Sequence, residues 1–384
     1  MKSPSHIRLL DLRQDATQKS LFLFGPRQTG KTTLLKTLFP KAIFYNLLLA
    51  DQFLRLSQRP QLLREELMAL HDKKTIVVID EIQKLPILLD EVHSLIEDEK
   101  LRFILTGSSA RKLKRGSANL LAGRAWIRNL FPLVSTEIKN FDWKRVLRFG
   151  ALPFVYDSAN PDEELSSYVG TYLKEEVQAE GLTRKIENFS RFLQTAAITN
   201  SELINFTSIA SDAGVPARTV QEYYQILEDT LIGTLLPPYL KTKKRKAIAT
   251  AKFYFFDVGV CNHLAGRDNI KPESTDFGHA LEHFIFTELR AWQHYTKQKS
   301  ELSFWRSTSG YEVDFLIGNH TAIEVKSSKF VQDKHLKGLR ALAEDLNLKN
   351  KIVISLDPKP RQIDDILVLP VAEFLKRLWA GQIV

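Results

Sequence analysis

The chain has 384 residues, 44% of them hydrophobic and 26% charged, and its 54 lysines and arginines outnumber 45 acids for a formal net charge of +9. That balance excludes a disordered chain, and the length exceeds one ordinary core and predicts two to three domains. The single cysteine, Cys261, excludes an intrachain disulfide and multi-thiolate zinc sites, while no stretch approaches the ~18 uncharged residues of a membrane span.

The basic surplus suits a polyanionic partner. The first residues, Met1 to His6, lead into no long apolar run, so no signal peptide is expected. Together with the lone cysteine this predicts a cytoplasmic protein without a membrane partner.

In the first third, apolar runs at 21–24, 42–46, 75–80 and 103–106 alternate with segments of helical periodicity. The pattern predicts an α/β domain with a parallel sheet and helices on both faces, over 1–134. Gly25-Pro26-Arg27-Gln28-Thr29-Gly30-Lys31-Thr32 fits G-x-x-x-x-G-K-[ST] between the first strand and a helix starting near Lys31. Glycines let main-chain N–H groups curl around a phosphate, and the helix N-terminus adds partial positive charge. Lys31 is expected on the β- and γ-phosphates of ATP and Thr32 on Mg²⁺, with Thr33 completing the nucleotide contacts. The run at 75–80 ends in Asp80 and Glu81. Asp80 is expected to hold Mg²⁺ through water and Glu81 to polarise the attacking water as a general base. Thr106, or Ser108 beyond it, is a candidate γ-phosphate sensor. Arg124, after the basic residues Arg111, Lys112, Lys114 and Arg115, is a candidate finger toward a neighbouring chain's nucleotide, against the alternative of a solvated surface arginine.

These motifs resemble one family. Gly25-Pro26-Arg27-Gln28 with Gly30-Lys31-Thr32-Thr33-Leu34, Asp80-Glu81-Ile82-Gln83, Thr106-Gly107-Ser108-Ser109 and Leu121-Ala122-Gly123-Arg124 are similar to those of prokaryotic AAA+-type ATPases with a C-terminal domain of uncharacterised function. The resemblance implies an AAA+-like P-loop core, a winged-helix segment and a restriction-nuclease-like C-terminal domain. Relatives of the AAA+ type form rings, so a homo-oligomer is a further expectation.

Residues 135–200 read as a helical lid or linker, clearest at 168–178 and 189–198. Over 201–272, Ala210, Gly214 and Val220 stand at offsets 0, +4 and +10, the spacing of a helix-turn-helix. Pro216 suits the first turn of the second helix. Strands at 232–236 and 252–257 would form a wing, with five cations in the six residues 241–246 at its tip. Such a tip neutralises phosphates without reading sequence. Arg218 and Gln221 are the candidates for base contacts, whereas Glu222, Glu228 and Asp229 would repel a DNA backbone. The expectation is largely non-specific DNA binding, with a protein-docking winged helix as the alternative.

From 273 to 384 the pattern predicts a helix at 278–292, strands at 302–307, 312–317 and 321–326, a helix near 333–346 and a strand at 351–355. Glu312-Val313-Asp314 and Glu324-Val325-Lys326 resemble the PD-(D/E)XK nuclease motif, with Tyr311-Glu312-Val313 departing from its proline. Glu324 and Lys326 share one strand face. Asp314, Glu324 and the Val325 carbonyl could bind Mg²⁺, Lys326 could position water, and Glu282 matches the accessory acid. A degenerate core kept for folding or DNA binding is the alternative. Two functional expectations lead, beside a third in which the protein is mainly a nuclease with ATP as a gate. One is a DNA-associated ATPase coupled to a nuclease-like domain. The other is an ATP-dependent signalling or scaffold switch whose C-terminal domains dock protein and cut nothing.

Overall fold

A computed structural model describes residues 6–70, 72, 74–109, 121, 123–173, 186–267, 270–272 and 274–384. The basic residues at 111, 112, 114 and 115, Ala122, and the last part of the helix expected over 168–178 lie outside this set. The chain forms two compact units, 6–132 with 229–232, and 133–228 with 233–384.

The first unit runs α1 (Arg13–Gln18), β1 (Ser20–Phe24), α2 (Lys31–Leu38), β2 (Ile43–Asn46), α3 (Ala50–Gln58), α4 (Leu62–Met68), β3 (Ile76–Asp80), α5 (Leu88–Glu97), β4 (Arg102–Gly107) and β5 (Ala125–Asn129). The strands form one parallel sheet in the order β2-β3-β4-β1-β5. Unbroken apolar runs suit strands covered on both faces, and β1 is buried along its whole length. Helix α5 turns Leu88, Leu89, Val92 and Leu95 into the same core. This is the α/β P-loop architecture expected of an AAA+-like core. Strand β5 was not anticipated. Its residues are half-buried or exposed, and Arg128 interrupts the apolar pattern.

Strand β4 separates β1 from β3, with Phe24 opposite Gly107 and Ile79 opposite Leu105. Three C-terminal strand ends therefore lie side by side, where open α/β sheets bind ligands.

The second unit begins with α6 (Trp143–Phe149), α7 (Pro153–Tyr156), α8 (Pro161–Ser167), a π-helical turn over Tyr168–Leu173, and α9 (Ile186–Ile198). Helices α10 (Phe206–Ala213) and α11 (Ala217–Asp229) follow, joined at Gly214, and a hairpin of β6 (Gly233–Leu236) and β7 (Lys252–Phe255) comes next. Ala213 and Val220 are fully buried. Helix α12 (Val258–Leu264) was not read from the sequence. Asp257, predicted to end a strand, instead caps this helix by accepting the Val260 N–H at 3.0 Å.

Helix α13 (Thr275–Tyr295) leads into a six-stranded mixed sheet. Strands β8 (Leu302–Arg306), β9 (Glu312–Ile317) and β10 (Thr321–Val325) form an antiparallel meander. After a 3₁₀ turn and α14 (Lys337–Ala343), β11 (Asn350–Ser355) joins parallel to β10. Strands β12 (Arg361–Ile363) and β13 (Ile366–Pro370) and helix α15 (Val371–Trp379) complete it; none of these three was read from the sequence. Alternation places Phe315, Ile323, Ile352 and Ile354 against α13 and α15, and Leu316, Ala322 and Val353 against α14.

The basic run at 241–246 is not a free wing tip. Arg245 donates to the Ala341 carbonyl at 2.9 Å and pairs with Glu344 at 2.8 Å. The Lys243 and Lys244 amides donate to Asp345. Short bridges join Pro238 to Phe304 and Ala247 to Ser307. The connection between β6 and β7 thus lies along the mixed sheet, because an unpaired hairpin of two short strands has too little burial to stand alone. The lysine side chains at 241, 243, 244 and 246 remain exposed. Among the described residues no helix is long and apolar enough to cross a membrane.

Gly338 fixes the approach of α14 to the sheet. A Cβ there would lie 1.9 Å from the Glu312 carbonyl oxygen. Alanine normally favours a helix over glycine by about 1 kcal/mol. Here backbone sits in the way, so Gly338→Ala is expected to destabilise the protein by about 1–3 kcal/mol. Chemical denaturation followed by tryptophan fluorescence checks the sign.

Candidate nucleotide site and a second, acidic cavity

The loop between β1 and α2 is shaped by backbone constraints. Gly30 has φ +93°, a conformation side chains resist, and a Cβ on Gly25 would meet the Leu130 carbonyl oxygen at 2.3 Å. Pro26 and Thr29 are buried, Arg27 is half-buried, and Gln28 and Thr33 are exposed. Lys31 folds back over the loop and donates to the Gly25 and Pro26 carbonyls at 2.7 and 3.0 Å. These bonds hold an ammonium where a phosphate oxygen could replace the carbonyls.

Asp80 closes the site from β3. It is 2% exposed. One carboxylate oxygen accepts the Thr32 hydroxyl at 2.7 Å and the other accepts the Thr106 hydroxyl. Thr106 in turn accepts the Glu81 N–H at 3.1 Å. The sequence thus brings Thr32, Asp80 and Thr106 into direct contact from three separate elements. A hydroxyl and a carboxylate so placed are suitable oxygen ligands for Mg²⁺.

Two residues here had no role assigned from the sequence. Arg8 donates to the Thr29 carbonyl at 2.7 Å and the Phe131 carbonyl at 2.6 Å, pinning the loop to the segment after β5. Gln83 donates to both the Glu81 carboxylate and the Ser108 hydroxyl. Glu81 itself has φ +63°, uncommon for a residue with a side chain. Arg124 forms an ion pair with Glu97.

The second unit holds a cavity of about 480 Å³ that gathers Lys252, Glu282, Glu312, Asp314, Glu324 and Lys326. Helix α13 supplies Glu282, β9 supplies Glu312 and Asp314, and β10 and its end supply Glu324 and Lys326. Asp314 accepts the Val325 N–H at 2.7 Å, and Lys326 pairs with Glu324. The second Glu324 oxygen, Oε2, is buried without a hydrogen-bond partner.

Lys252 and Tyr254, on β7, were not assigned from the sequence. Lys252 Nζ lies 3.1 Å from Glu282 and 2.7 Å from Glu312, and the Tyr254 hydroxyl donates to Glu282. Glu282 is therefore engaged by a lysine and a phenol. Among the described residues no three acidic, imidazole or thiol groups stand together so as to hold a metal ion. The expected set of Glu282, Asp314 and Glu324 shares one cavity, but Lys252 takes up Glu282. A lysine opening an otherwise apolar strand was the signal that could have found it.

Burial, and next the Glu282 charge, raises the Asp314 carboxyl to about 6. Burial, and next Asp314, raises Glu324 well above the ordinary range. Burial penalises the Lys252 ammonium, yet the surrounding acids, Glu282 first, hold it well above a normal lysine. Asp314 and the unpartnered Glu324 oxygen are thus short of positive charge, a donor set that fits a hard divalent cation.

Residues 17–139 match the family model of an AAA domain. Residues 140–271 and 277–374 match two domains of unknown function (DUF8612 and DUF4143). An uncharacterised protein of Mycobacterium tuberculosis is 23% identical over 87% of this chain and 76% of its own length. One from Methanocaldococcus jannaschii is 24% identical over 85% and 79%. A solved structure, a signal transduction ATPase with numerous domains from Pyrococcus horikoshii, is 16% identical with a TM-score of 0.24. The match covers 78% of this chain and 49% of that chain, about half its length. The AAA-domain match and the parallel-sheet fold support an ATPase-type function for the first unit.

Protons compete with a cation for raised carboxyls. Mn²⁺ affinity at the acidic cavity is expected to rise with pH as the raised carboxyls of Asp314 and Glu324 lose their protons, with proton release on binding. Calorimetry in buffers of different ionisation heat measures this. Constant affinity without proton release would contradict it.

Proposed function

We propose that this protein is a DNA-associated, AAA+-like ATPase that couples its nucleotide state to a nuclease-like site in the second unit. The observation that carries the ATPase part is Asp80 held by the hydroxyls of Thr32 and Thr106. Main-chain amides between Gly25 and Thr33 would cradle the phosphates, and Lys31 would exchange its loop carbonyls for β- and γ-phosphate oxygens. Thr32 and Asp80 would hold Mg²⁺, which supplies charge neutralisation at the phosphates. Glu81 orients the attacking water and accepts its proton, Gln83 positions Glu81, and Thr106 reports the γ-phosphate end of the site. Arg124 is a candidate for completing a neighbour's site in a ring of copies.

On this reading α10, α11 and the hairpin form a winged helix. Its exposed lysines at 241, 243, 244 and 246 face DNA phosphates. Arg218 is 90% exposed and lies 3.6 Å from Glu222, which suits backbone contact better than base reading. In the acidic cavity Asp314 and Glu324 would hold a divalent cation and Lys326 would position water. The chain's cytoplasmic placement belongs to the same reading. A second reading, an ATP-dependent docking switch that cuts nothing, draws on Lys252, which already neutralises two of the acids.

Lys31→Ala is expected to abolish ATP hydrolysis. Glu81→Gln is expected to retain binding while turnover falls by about 10²-fold or more. Unchanged phosphate release in Lys31→Ala would remove the ATPase reading. DNA retention should weaken with salt, and replacing Lys241, Lys243 and Lys244 by alanine should flatten the log–log salt slope by about 2–3. Salt-insensitive or absent binding favours the docking switch, as does failure of Mn²⁺ to support cleavage that Asp314→Ala removes.

A further inference from the structure

We propose that Lys252 is a built-in cation occupying one of two metal positions in the acidic cavity, so that the site takes a single divalent ion, between Asp314 and Glu324. The inference rests on reading this cavity as a metal-dependent site. Lys252 Nζ bridges Glu282 and Glu312 at 3.1 and 2.7 Å, with its side chain only 4% exposed. An ion shared by those two acids would need the volume the ammonium fills. Tyr254 also donates to the Glu282 oxygen that faces Lys252, so that oxygen is engaged twice without a metal ion.

The other half of the cavity differs. Glu324 is 5% exposed, and its Oε2 has no hydrogen-bond partner. A buried carboxylate oxygen left bare costs free energy unless a cation meets it. Asp314 spends one oxygen on the Val325 N–H and leaves the other to the cavity.

Formal charge agrees. The lining carries the acids Glu202, Glu282, Glu312, Asp314 and Glu324 against Lys252, Arg306 and Lys326. The excess is two negative charges, the charge of one divalent ion. Without Lys252 the cavity would carry a larger negative excess, and Glu282 and Glu312 would be left as a second pair of oxygen ligands. Lys252 comes from the β6–β7 hairpin, so the hairpin sets the cation count of a site built on α13, β9 and β10. An ammonium neutralises charge but does not polarise an oxygen as a metal ion does. Lys252 is therefore a positioning residue for Glu282 and Glu312.

The test is Mn²⁺ binding to the full chain without nucleotide, in an Asp80→Asn background that disables the other cation site. Calorimetry gives stoichiometry, and electron paramagnetic resonance separates an isolated ion from a spin-coupled pair. One isolated ion per chain is expected, weakened at least about tenfold by Asp314→Asn. Lys252→Met, which removes the charge and keeps the length, is expected to admit a second, coupled ion. Lys252→Gln serves if that variant does not fold. A coupled pair in the Lys252 protein, or one isolated ion persisting in the folded Lys252 variants, overturns the proposal. No ion in the Lys252 protein at millimolar Mn²⁺ removes the metal reading on which it rests. Where neither variant folds, the ion count of the Lys252 protein decides alone.

Discussion

Asp80 is the constraint on which the first unit's site depends. A carboxylate buried to this degree is costly unless its oxygens are satisfied. The two threonine hydroxyls satisfy both, one from the start of α2 and one from the end of β4. The strand order makes this possible, because β4 lies between β1 and β3 and brings Thr106 beside Asp80. Any cation bound there meets oxygen ligands already fixed in place. Glu81 is tied to the same point through its main-chain N–H, which donates to Thr106. The lysine of the loop and the acids of the third strand are thereby brought to one end of a rigid sheet.

The second unit builds its polar site in the opposite way. The first site satisfies one buried acid with hydroxyls, whereas the second gathers several acids and sets lysines among them. Lys252 and Lys326 enter from different strands and engage different acids. The resulting imbalance falls on Asp314 and Glu324, the pair whose carboxyls are raised. Beside Glu282, to which its hydroxyl donates, Tyr254 stacks on Phe286 with ring centroids 4.1 Å apart. Low dielectric on that side strengthens the charge interactions there. The site therefore depends on how its internal cations are distributed.

Much of this was legible in the sequence, for identifiable reasons. The loop at 25–32 and the acids ending the run at 75–80 are local patterns, fixed by strand–loop–helix order. The strands at 312–317 and 321–325 are short, mostly apolar runs that can be read locally. What was not legible depends on contacts between distant segments. Strand β5 has no apolar run, because an edge strand needs burial on fewer sides. Helix α12 depends on Asp257 acting as a cap, where the same residue reads equally well as a strand end. Lys252 looks like one more cation near a basic run until the hairpin is paired, after which it is the most enclosed lysine of the cavity. The basic run itself reads as a free tip only while Asp345 and Glu344, a hundred residues away, are out of view. The glycine at 338 likewise gains its meaning from a strand it does not adjoin in sequence.

The central claim is that Asp80, Thr32 and the loop ahead of α2 form a preassembled seat for a magnesium–nucleoside triphosphate. Calorimetric titration with a non-hydrolysable ATP analogue in Mg²⁺ tests this most directly, since it needs no turnover and no DNA. The account predicts one molecule bound per chain, with affinity falling sharply in Asp80→Asn. A folded protein that takes up no analogue, or that binds it equally well with and without the Asp80 carboxylate, would contradict it.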